Sequence, residues 1–251
     1  MVFGGGTGAE PPIDNPVKTC GIITARGGSK GIPGKNLKSM ASQPMIAWTI
    51  AAARAAPGLD RVLVSTDDPE IARVCRELGA EVPFLRPAHL ATDTATHLAV
   101  FDHMMEWLVA EGGLPEYLLL LQPTSPLRLT EDIEGGIRFA RERQADAVIG
   151  VSEIHPHTAH PWLAKRLTPD GVLEPFMMTP TDDLRRQNMP PAFAINGALY
   201  VNRCESLRRD RTFFPAGALA YPMPVERSLD VDTPMDFFLA EQLLKLRHAT
   251  P

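Results

Sequence analysis

The chain has 251 residues, of which 44% are hydrophobic and 22% charged, and a mean hydropathy of -0.08 excludes a mainly disordered protein. Its formal net charge of -5 argues against a nucleic-acid partner, because sequence-independent binders of nucleic acids carry a broad basic surface. No apolar run approaches the roughly 18 residues that span a bilayer, so we expect a cytoplasmic protein with no membrane partner. Three widely spaced cysteines favour buried thiols over a disulfide framework or a zinc site.

The first half of the chain alternates the patterns of buried strands and helices. Residues 1–17 are rich in Gly and Pro, and we expect them to be a disordered leader. Asp67 or Asp68 can cap a helix that begins at Pro69, and Gly79 can end it. In chain order the patterns predict a strand at 19–25, a helix at 45–56, a strand at 61–65, the helix from 69 to 79, a strand at 81–85 and a helix at 97–111.

The second half continues this alternation, with one interruption. Thr130 can cap a further helix, and residues 152–193, rich in Pro and His with a Pro169-Asp170-Gly171 turn signal, break the rhythm as an insertion. The patterns predict strands at 117–122, 145–151, 197–202 and 219–223 and helices at 130–143 and 234–247. Apolar strands separated by helices predict an α/β fold whose mainly parallel sheet is covered on both faces, in one domain from 18 to 251.

Residues 26–36, which we call the cationic loop, follow the first predicted strand. Six cations and no acid lie between residues 17 and 59, and three of the cations, Arg26, Lys30 and Lys35, are in this loop. Glycines allow backbone amides to approach an anion closely, and α/β proteins bind ligands where strands end. The pattern therefore favours a polyphosphate site, although a solvated glycine-rich loop is the alternative. The Walker and dinucleotide fingerprints are both missing, which makes a dehydrogenase a poor third hypothesis.

A pair of aspartates lies near the carboxyl end of the chain. The period of a strand places Leu229 and Val231 on one face and the carboxylates of Asp230 and Asp232 on the other. Two neighbouring carboxylates suit Mg²⁺, which proteins often hold with one or two carboxylates and substrate phosphates. The alternatives are a solvated strand edge or a cap for the helix after Thr233.

Several short motifs follow one another along the chain. They are Arg26-Gly27-Gly28-Ser29-Lys30-Gly31-Ile32-Pro33 with Lys35-Asn36-Leu37, Ser65-Thr66-Asp67-Asp68, Leu121-Gln122-Pro123-Thr124-Ser125-Pro126-Leu127-Arg128, Arg186-Gln187, Asn196-Gly197-Ala198-Leu199-Tyr200 and Asp230-Val231-Asp232-Thr233. In this order they make the chain resemble the CMP-sialic acid synthetases, the acylneuraminate cytidylyltransferases. The resemblance runs from residue 18 to residue 246 and implies a Rossmann-like nucleotidyltransferase fold, an inserted dimerisation segment at 152–193, a homodimer, and a Mg²⁺-dependent transfer of CMP from CTP to an acidic sugar.

The resemblance also implies roles for single residues. Arg26, Lys30 and Asp232 would be catalytic, and Asp230 and Asp232 would hold the metal. Nucleotide-binding positions would be Arg26, Ser29, Lys30, Lys35, Asn36, Ala95 and His97. Acceptor-binding positions would be Gln122, Arg186, Tyr200, Phe213 and Phe214. A guanidinium suits a sugar carboxylate and aromatic rings suit an acyl group, although Phe213 and Phe214 could equally be core residues.

Three positions depart from the family pattern. Leu163 and Ala194 stand where basic residues are usual, so the acceptor could be a related acid such as a legionaminic-type sugar. His97 stands where a small hydroxyl residue is usual beside the nucleobase, which leaves open a different NTP.

The insertion contains the histidines His155, His157 and His160. None of them has the helical spacing of a zinc site, and packing is the better interpretation of His160. A hypothesis of another class is a catalytically silent nucleotide-binding module that regulates a partner.

Overall fold

The computed structural model describes residues 18–29, 31–154, 160–179 and 184–249, with every side chain in these ranges except that of Arg186. The predicted leader at 1–17, and the residues Lys30, His155 and His157, lie outside the described part of the chain.

Ten strands are present in the described ranges, and six of them form the central sheet. The sheet order is β10-β6-β9-β5-β1-β4. In it β1 pairs in parallel with β4 and β5, β10 pairs in parallel with β6, and only β9 runs antiparallel to its neighbours β5 and β6. The strands are β1 (Thr19–Thr24), β2 (Ser39–Met40), β3 (Gln43–Pro44), β4 (Arg61–Ser65), β5 (Tyr117–Leu120), β6 (Ala147–Glu153), β7 (Lys165–Leu167), β8 (Leu173–Pro175), β9 (Phe193–Arg203) and β10 (Leu219–Pro222). The predicted α/β fold with a mainly parallel sheet is confirmed.

Helices cover both faces of this sheet. Because successive side chains of a strand point to opposite faces, Leu119 of β5 joins one core cluster and Leu118 joins the other. A third cluster packs the last helix against Val231 and the end of the cationic loop. The helices are α1 (Met45–Arg54), α2 (Pro69–Glu77), α3 (His97–Ala110), α4 (Thr130–Glu142), α5 (Cys204–Asp210) and α6 (Pro234–Ala249).

The direction of the strands decides where ligands can bind. Since β1, β4 and β5 run in parallel, the segments that follow them meet at one edge of the sheet. The cationic loop follows β1, Asp67 and Asp68 follow β4, and Gln122 follows β5. This carboxyl edge therefore gathers the motifs that the sequence singled out.

The structure differs from the predicted elements in a few places. Residues 81–85 form only isolated bridges, Leu63 to Glu81 and Thr66 to Leu85, and Pro83 between them has no amide hydrogen for a ladder. Thr130 does not cap α4; its hydroxyl donates to the carbonyl of Ala52, 3.0 Å away. The short helix α5 was not predicted, because no turn signal separates it from β9.

The insertion contains a small sheet of its own. Strands β7 and β8 pair antiparallel around the turn at Gly171, whose φ of +80° suits the Pro-Asp-Gly signal. His160 is buried, with Nε2 3.0 Å from the carbonyl of Pro190 and Nδ1 accepting from the amide of Trp162. Both ring nitrogens are used in packing, in line with the interpretation made from the sequence. Among the described helices, none combines the length and apolar character that crossing a bilayer requires.

Candidate active site

An open cavity of about 350 Å³ lies at the carboxyl edge of the sheet. Its walls come from the cationic loop, the segment before α3, the end of β5 and the aspartate pair. Nine of the predicted site residues line it: Arg26, Ser29, Lys35, Asn36, Ala95, His97, Gln122, Asp230 and Asp232. Lys30 lies outside the described residues, so its predicted role stays a prediction.

The cationic loop is held in place by neighbouring segments. The amide of Gly27 donates to Asp67 Oδ1 over 3.0 Å, and the Asn36 amide group donates to the carbonyl of Arg26 over 3.0 Å. A Cβ atom on Gly27 would lie 2.7 Å from Asp68 Oδ2, so a side chain there would force the two segments apart. Asp68 also caps α2, accepting from the amide of Glu70. The described ends of the loop, around Gly27 and Asn36, are therefore held by neighbouring segments.

Arg26 extends from this loop across the cavity. Its Nη1 lies 2.8 Å from Asp93 Oδ1, in an ion pair that is half-exposed on both sides. Such exposed pairs contribute little to stability, about 1 kcal/mol or less, so the guanidinium can exchange this partner for an anion at modest cost.

Lys35 joins the cationic loop to the aspartate pair. Its Nζ donates to the carbonyl of Val231 over 2.7 Å and to Asp232 Oδ1 over 3.1 Å. Gly31 meets the same turn, because a Cβ atom there would lie 2.5 Å from the backbone oxygen of Asp232. The two charged regions near opposite ends of the sequence thus share one cavity.

The two aspartates differ in their surroundings. Val231 between them is fully buried, and its amide donates to the carbonyl of Thr124 over 2.8 Å. Burial raises the pKa of Asp230, and a hydrogen bond from Thr124 opposes that rise. Asp230 Oδ1 is buried without a hydrogen-bond partner among the described residues, whereas the side chain of Asp232 is 71% exposed.

The cap of α6 does not use these carboxylates. Asp236 accepts from the amide of Thr233 over 2.7 Å, and the hydroxyl of Thr233 accepts from the amide of Asp236 over 3.2 Å. This reciprocal pair satisfies the helix start, so the alternative that Asp230 or Asp232 caps α6 is wrong. Asp230 keeps an unpartnered oxygen beside the cavity.

The protein can supply only part of the coordination shell of a divalent cation here. Within the described ranges, no group of three or more His, Cys, Asp and Glu side chains is placed to hold a metal. Two carboxylates, one with an unpartnered buried oxygen, fit the coordination typical of Mg²⁺, which completes its shell with phosphate oxygens and water. Asp230 and Asp232 are the residues that could hold it.

His97 and Ala95 form the opposite end of the cavity, at the start of α3. Nδ1 of His97 lies 3.2 Å from the hydroxyl of Thr24, because the end of β1 lies beside the N-terminus of α3. Its surroundings lower the pKa of His97, through burial first and then through the positive charge of Arg86. The imidazole is therefore neutral near physiological pH and can either donate or accept at Nε2.

Arg86 is a site residue that the sequence interpretation missed. Its buried guanidinium lines the cavity, with Nε donating to the hydroxyl of Ser65 over 3.0 Å and Nη1 to the carbonyl of Leu90 over 3.4 Å. The described residues give it no ion pair, and burial lowers its pKa. A lone arginine within the otherwise apolar segment Val82–Pro87 was the available signal.

Gln122 lines the cavity beside Gly197, a glycine with a left-handed backbone conformation. Gly197 has a φ of +72°, and a Cβ atom there would lie 3.3 Å from Gln122 Oε1 and 3.5 Å from Asp230 Oδ2. Behind them the fully buried guanidinium of Arg128 donates to the carbonyls of Gln122 and Ala198. Arg128 thus holds together the two strand segments that carry Gln122 and Gly197.

The predicted aromatic residues form a group beside the cavity and not in its lining. Tyr200 contacts Phe213 and Phe214 edge-on, with ring centroids 6.1 and 5.9 Å apart. Phe213 is buried against Phe101 in the core, whereas Phe214 is exposed. Burial raises the pKa of Tyr200, and the negative charge of Asp230 raises it further.

The remaining predicted positions lie in or near the insertion. Arg186 begins a single helical turn, Arg186–Asn188, but its side chain is outside the described part. Leu163 and Ala194, two of the departures from the family pattern, do not line the cavity. The acceptor roles of Arg186, Tyr200, Phe213 and Phe214 stay predictions.

Comparison with known proteins agrees with this geometry. The family model described as "Cytidylyltransferase" matches residues 20–170. The "CMP-N,N'-diacetyllegionaminic acid synthase" of Legionella pneumophila is 32% identical over 228 residues, covering 90% of this chain and 95% of that protein. An "N-acylneuraminate cytidylyltransferase" of Streptococcus agalactiae is 36% identical over 218 residues, covering 86% of this chain and 51% of that protein. The chain thus spans about half the length of the streptococcal relatives.

Solved structures show the same fold at lower identity. CMP:2-keto-3-deoxy-manno-octonic acid synthetase complexed with CTP superposes with a TM-score of 0.68 at 18% identity, covering 92% of this chain and 99% of that one. The 4-diphosphocytidyl-2C-methyl-D-erythritol synthase of Anaerococcus prevotii gives a TM-score of 0.59 at 12% identity. The family model covers more than half of the sequence, and a relative of similar length is 32% identical, so the chain belongs to the cytidylyltransferase family.

Proposed function

We propose that this protein transfers CMP from CTP to a hydroxyl of an acidic nonulosonic sugar, with Mg²⁺ bound and pyrophosphate released. The observation that carries the proposal is the contact of Lys35 with Asp232, which brings the cationic loop and the carboxylate pair into one cavity. The named activities of the relatives from Legionella and Streptococcus support the choice of CTP and of an acidic sugar.

The charges of the cavity fit an in-line displacement at the α-phosphorus of CTP. Arg26, Lys30 and Lys35 hold the triphosphate and offset the charge that develops on the leaving pyrophosphate. Gln122 orients the acceptor, since its amide can both donate to and accept from a sugar hydroxyl. Asp230 and Asp232 hold a divalent ion, which when bound supplies Lewis-acid stabilisation of phosphoryl charge. Positioning by these groups accounts for most of the proposed catalysis.

The nucleobase lies, in this proposal, against Ala95 and His97. The neutral imidazole and the buried guanidinium of Arg86 offer a cytosine ring hydrogen bonds at its carbonyl and ring nitrogen. Because an imidazole can form hydrogen bonds with the edges of other nucleobases equally well, a different NTP is the second candidate. The acceptor can likewise be any of several acids, since Leu163 and Ala194 bring no charge to the positions where basic residues are usual.

The test is turnover of each NTP with Mg²⁺ and a panel of nonulosonic acids, with release of pyrophosphate as the readout. We expect CTP and one acid to support turnover, and Asp232→Asn to reduce it about 10²-fold or more. Binding of CTP without pyrophosphate release from any acid would instead favour the regulatory, catalytically silent module. Undiminished turnover by Asp232→Asn would remove the metal assignment.

The homodimer is part of the same proposal. The β7–β8 hairpin carries large apolar side chains that are exposed in the single chain, among them Leu173 at 68% and Phe176 at 71% exposure. Isolated two-stranded sheets are marginal in water, and clustered apolar surface is typical of a protein interface. We expect the wild type to sediment as a dimer and Leu173→Asp to sediment as a monomer; a wild-type monomer would contradict the proposal.

The cytoplasmic location expected from the sequence stays a prediction.

A further inference from the structure

Lys35 donates two hydrogen bonds to the aspartate pair's turn, one to a backbone oxygen and one to a carboxylate. Its Nζ donates to the backbone oxygen of Val231 over 2.7 Å and to the carboxylate of Asp232 over 3.1 Å. The lysine side chain is only 12% exposed, whereas that of Asp232 is 71% exposed. The bond to the backbone is therefore the fixed one, and the bond to the carboxylate is the one that solvent and ligands can replace.

The proposed metal site and this ion pair compete for the same oxygen. Mg²⁺ binds carboxylate oxygens at about 2.1 Å, so an ion on Asp232 Oδ1 would come within about 5 Å of the ammonium of Lys35. Two cations at that distance repel each other strongly in a partly buried site. A triphosphate removes the conflict, since its oxygens can take the ammonium while the carboxylate takes the metal.

We infer that Lys35 acts as a substitute for the divalent cation on Asp232 while the site is empty, and turns to the triphosphate when ion and nucleotide bind. The tether to Val231 keeps the ammonium within reach of both partners. This inference rests on the proposed function for the identity of the two ligands. It makes Lys35 a positioning residue that couples metal binding to nucleotide binding.

A nearby lysine provides a matched control. Lys38 belongs to the same basic segment, but its Nζ lies 5.0 Å above the ring centroid of Phe237 and makes no ion pair among the described residues. Its ammonium lies outside the cavity lining. Removal of its charge should therefore leave both ligands unaffected.

The inference predicts opposite effects on the two ligands when the charge of Lys35 is removed. In Lys35→Met and Lys35→Gln, Mn²⁺ should bind about two- to five-fold more tightly in the absence of nucleotide, the range expected for a half-exposed ion pair. CTP should bind about tenfold or more weakly in EDTA, because a charge-assisted hydrogen bond to phosphate is lost. A folding defect would instead weaken both.

Electron paramagnetic resonance of free Mn²⁺ measures the first affinity, and isothermal titration calorimetry of CTP in EDTA measures the second. Lys35→Arg keeps the charge and should preserve the weak Mn²⁺ affinity of the wild type, and Lys38→Met should match the wild type in both assays. Equal or weaker Mn²⁺ binding in both uncharged Lys35 variants, including no binding in either, would overturn the inference. Wild-type turnover of CTP, measured in parallel, tests the proposed function separately.

Discussion

Gly31 provides a sharp test of how closely the cationic loop must approach the aspartate turn. A Cβ atom on Gly31 would lie 2.5 Å from the backbone oxygen of Asp232, whereas real Cβ contacts are essentially never under 3.0 Å. Gly31→Ala must therefore displace one of the two backbones by about half an ångström. Overpacking of this kind costs about 1–3 kcal/mol of unfolding free energy, or about 2–12 °C in Tm for a domain of this size.

The same displacement should act on catalysis. Asp232 and Lys35 would lose their present spacing, and misplacement approaching 1 Å can reduce kcat/KM about 10²-fold. Differential scanning fluorimetry gives Tm, and pyrophosphate release gives kcat/KM. Gly28→Ala is the control for stability, since a Cβ atom there meets no atom of the described residues beyond its chain neighbours within 4 Å. An alanine at 31 that leaves Tm and kcat/KM at their wild-type values would refute the reasoning.

Four further substitutions have predicted effects on stability. Arg128→Met should lower the unfolding free energy by about 1–3 kcal/mol in urea denaturation, because the buried carbonyl of Ala198 loses its donor; an unchanged midpoint would contradict this. Burial lowers the pKa of His97 below its ordinary value of 6.5, so the unfolded chain takes up a proton more readily than the folded chain. The wild type should therefore lose stability relative to His97→Asn as the pH falls below about 6.5. Parallel pH profiles would count against that explanation. Ser42→Gly should raise the unfolding free energy by up to about 1 kcal/mol, because Ser42 has a φ of +76°, a backbone conformation that glycine adopts more easily. Ser39 lies in the extended backbone of β2, so Ser39→Gly should lower the unfolding free energy instead.

Much of the fold was predictable because the central strands are buried on both faces. Residues 62–64 and 117–120 are apolar runs, and the structure has the strands β4 and β5 there. The direction of β9 was not predictable, since an apolar run has the same composition whichever way it lies. The early part of β9 was also missed, because a bulge opposite β6 and the left-handed conformation of Gly197 interrupt its pattern.

The site was predictable as a set of residue types but not as a set of contacts. The charge of the cationic loop and the spacing of Asp230 and Asp232 indicated phosphate and metal chemistry from the sequence alone. That Lys35 reaches Asp232 depends on the sheet topology and on the packing of α6, which no local pattern encodes. Arg86 was missed because a single arginine in an apolar segment has no periodicity to distinguish it.

The contact between Lys35 and Asp232 joins positions 197 residues apart. A ribosome delivers the amino-terminal partner long before the carboxyl-terminal one, and domains consolidate as their segments become accessible. During synthesis the nascent polypeptide therefore exposes an anion-attracting loop well before the acidic turn that completes it. The proposed site can consequently be completed only late in synthesis, and a chain that stops short of residue 230 would lack that turn altogether.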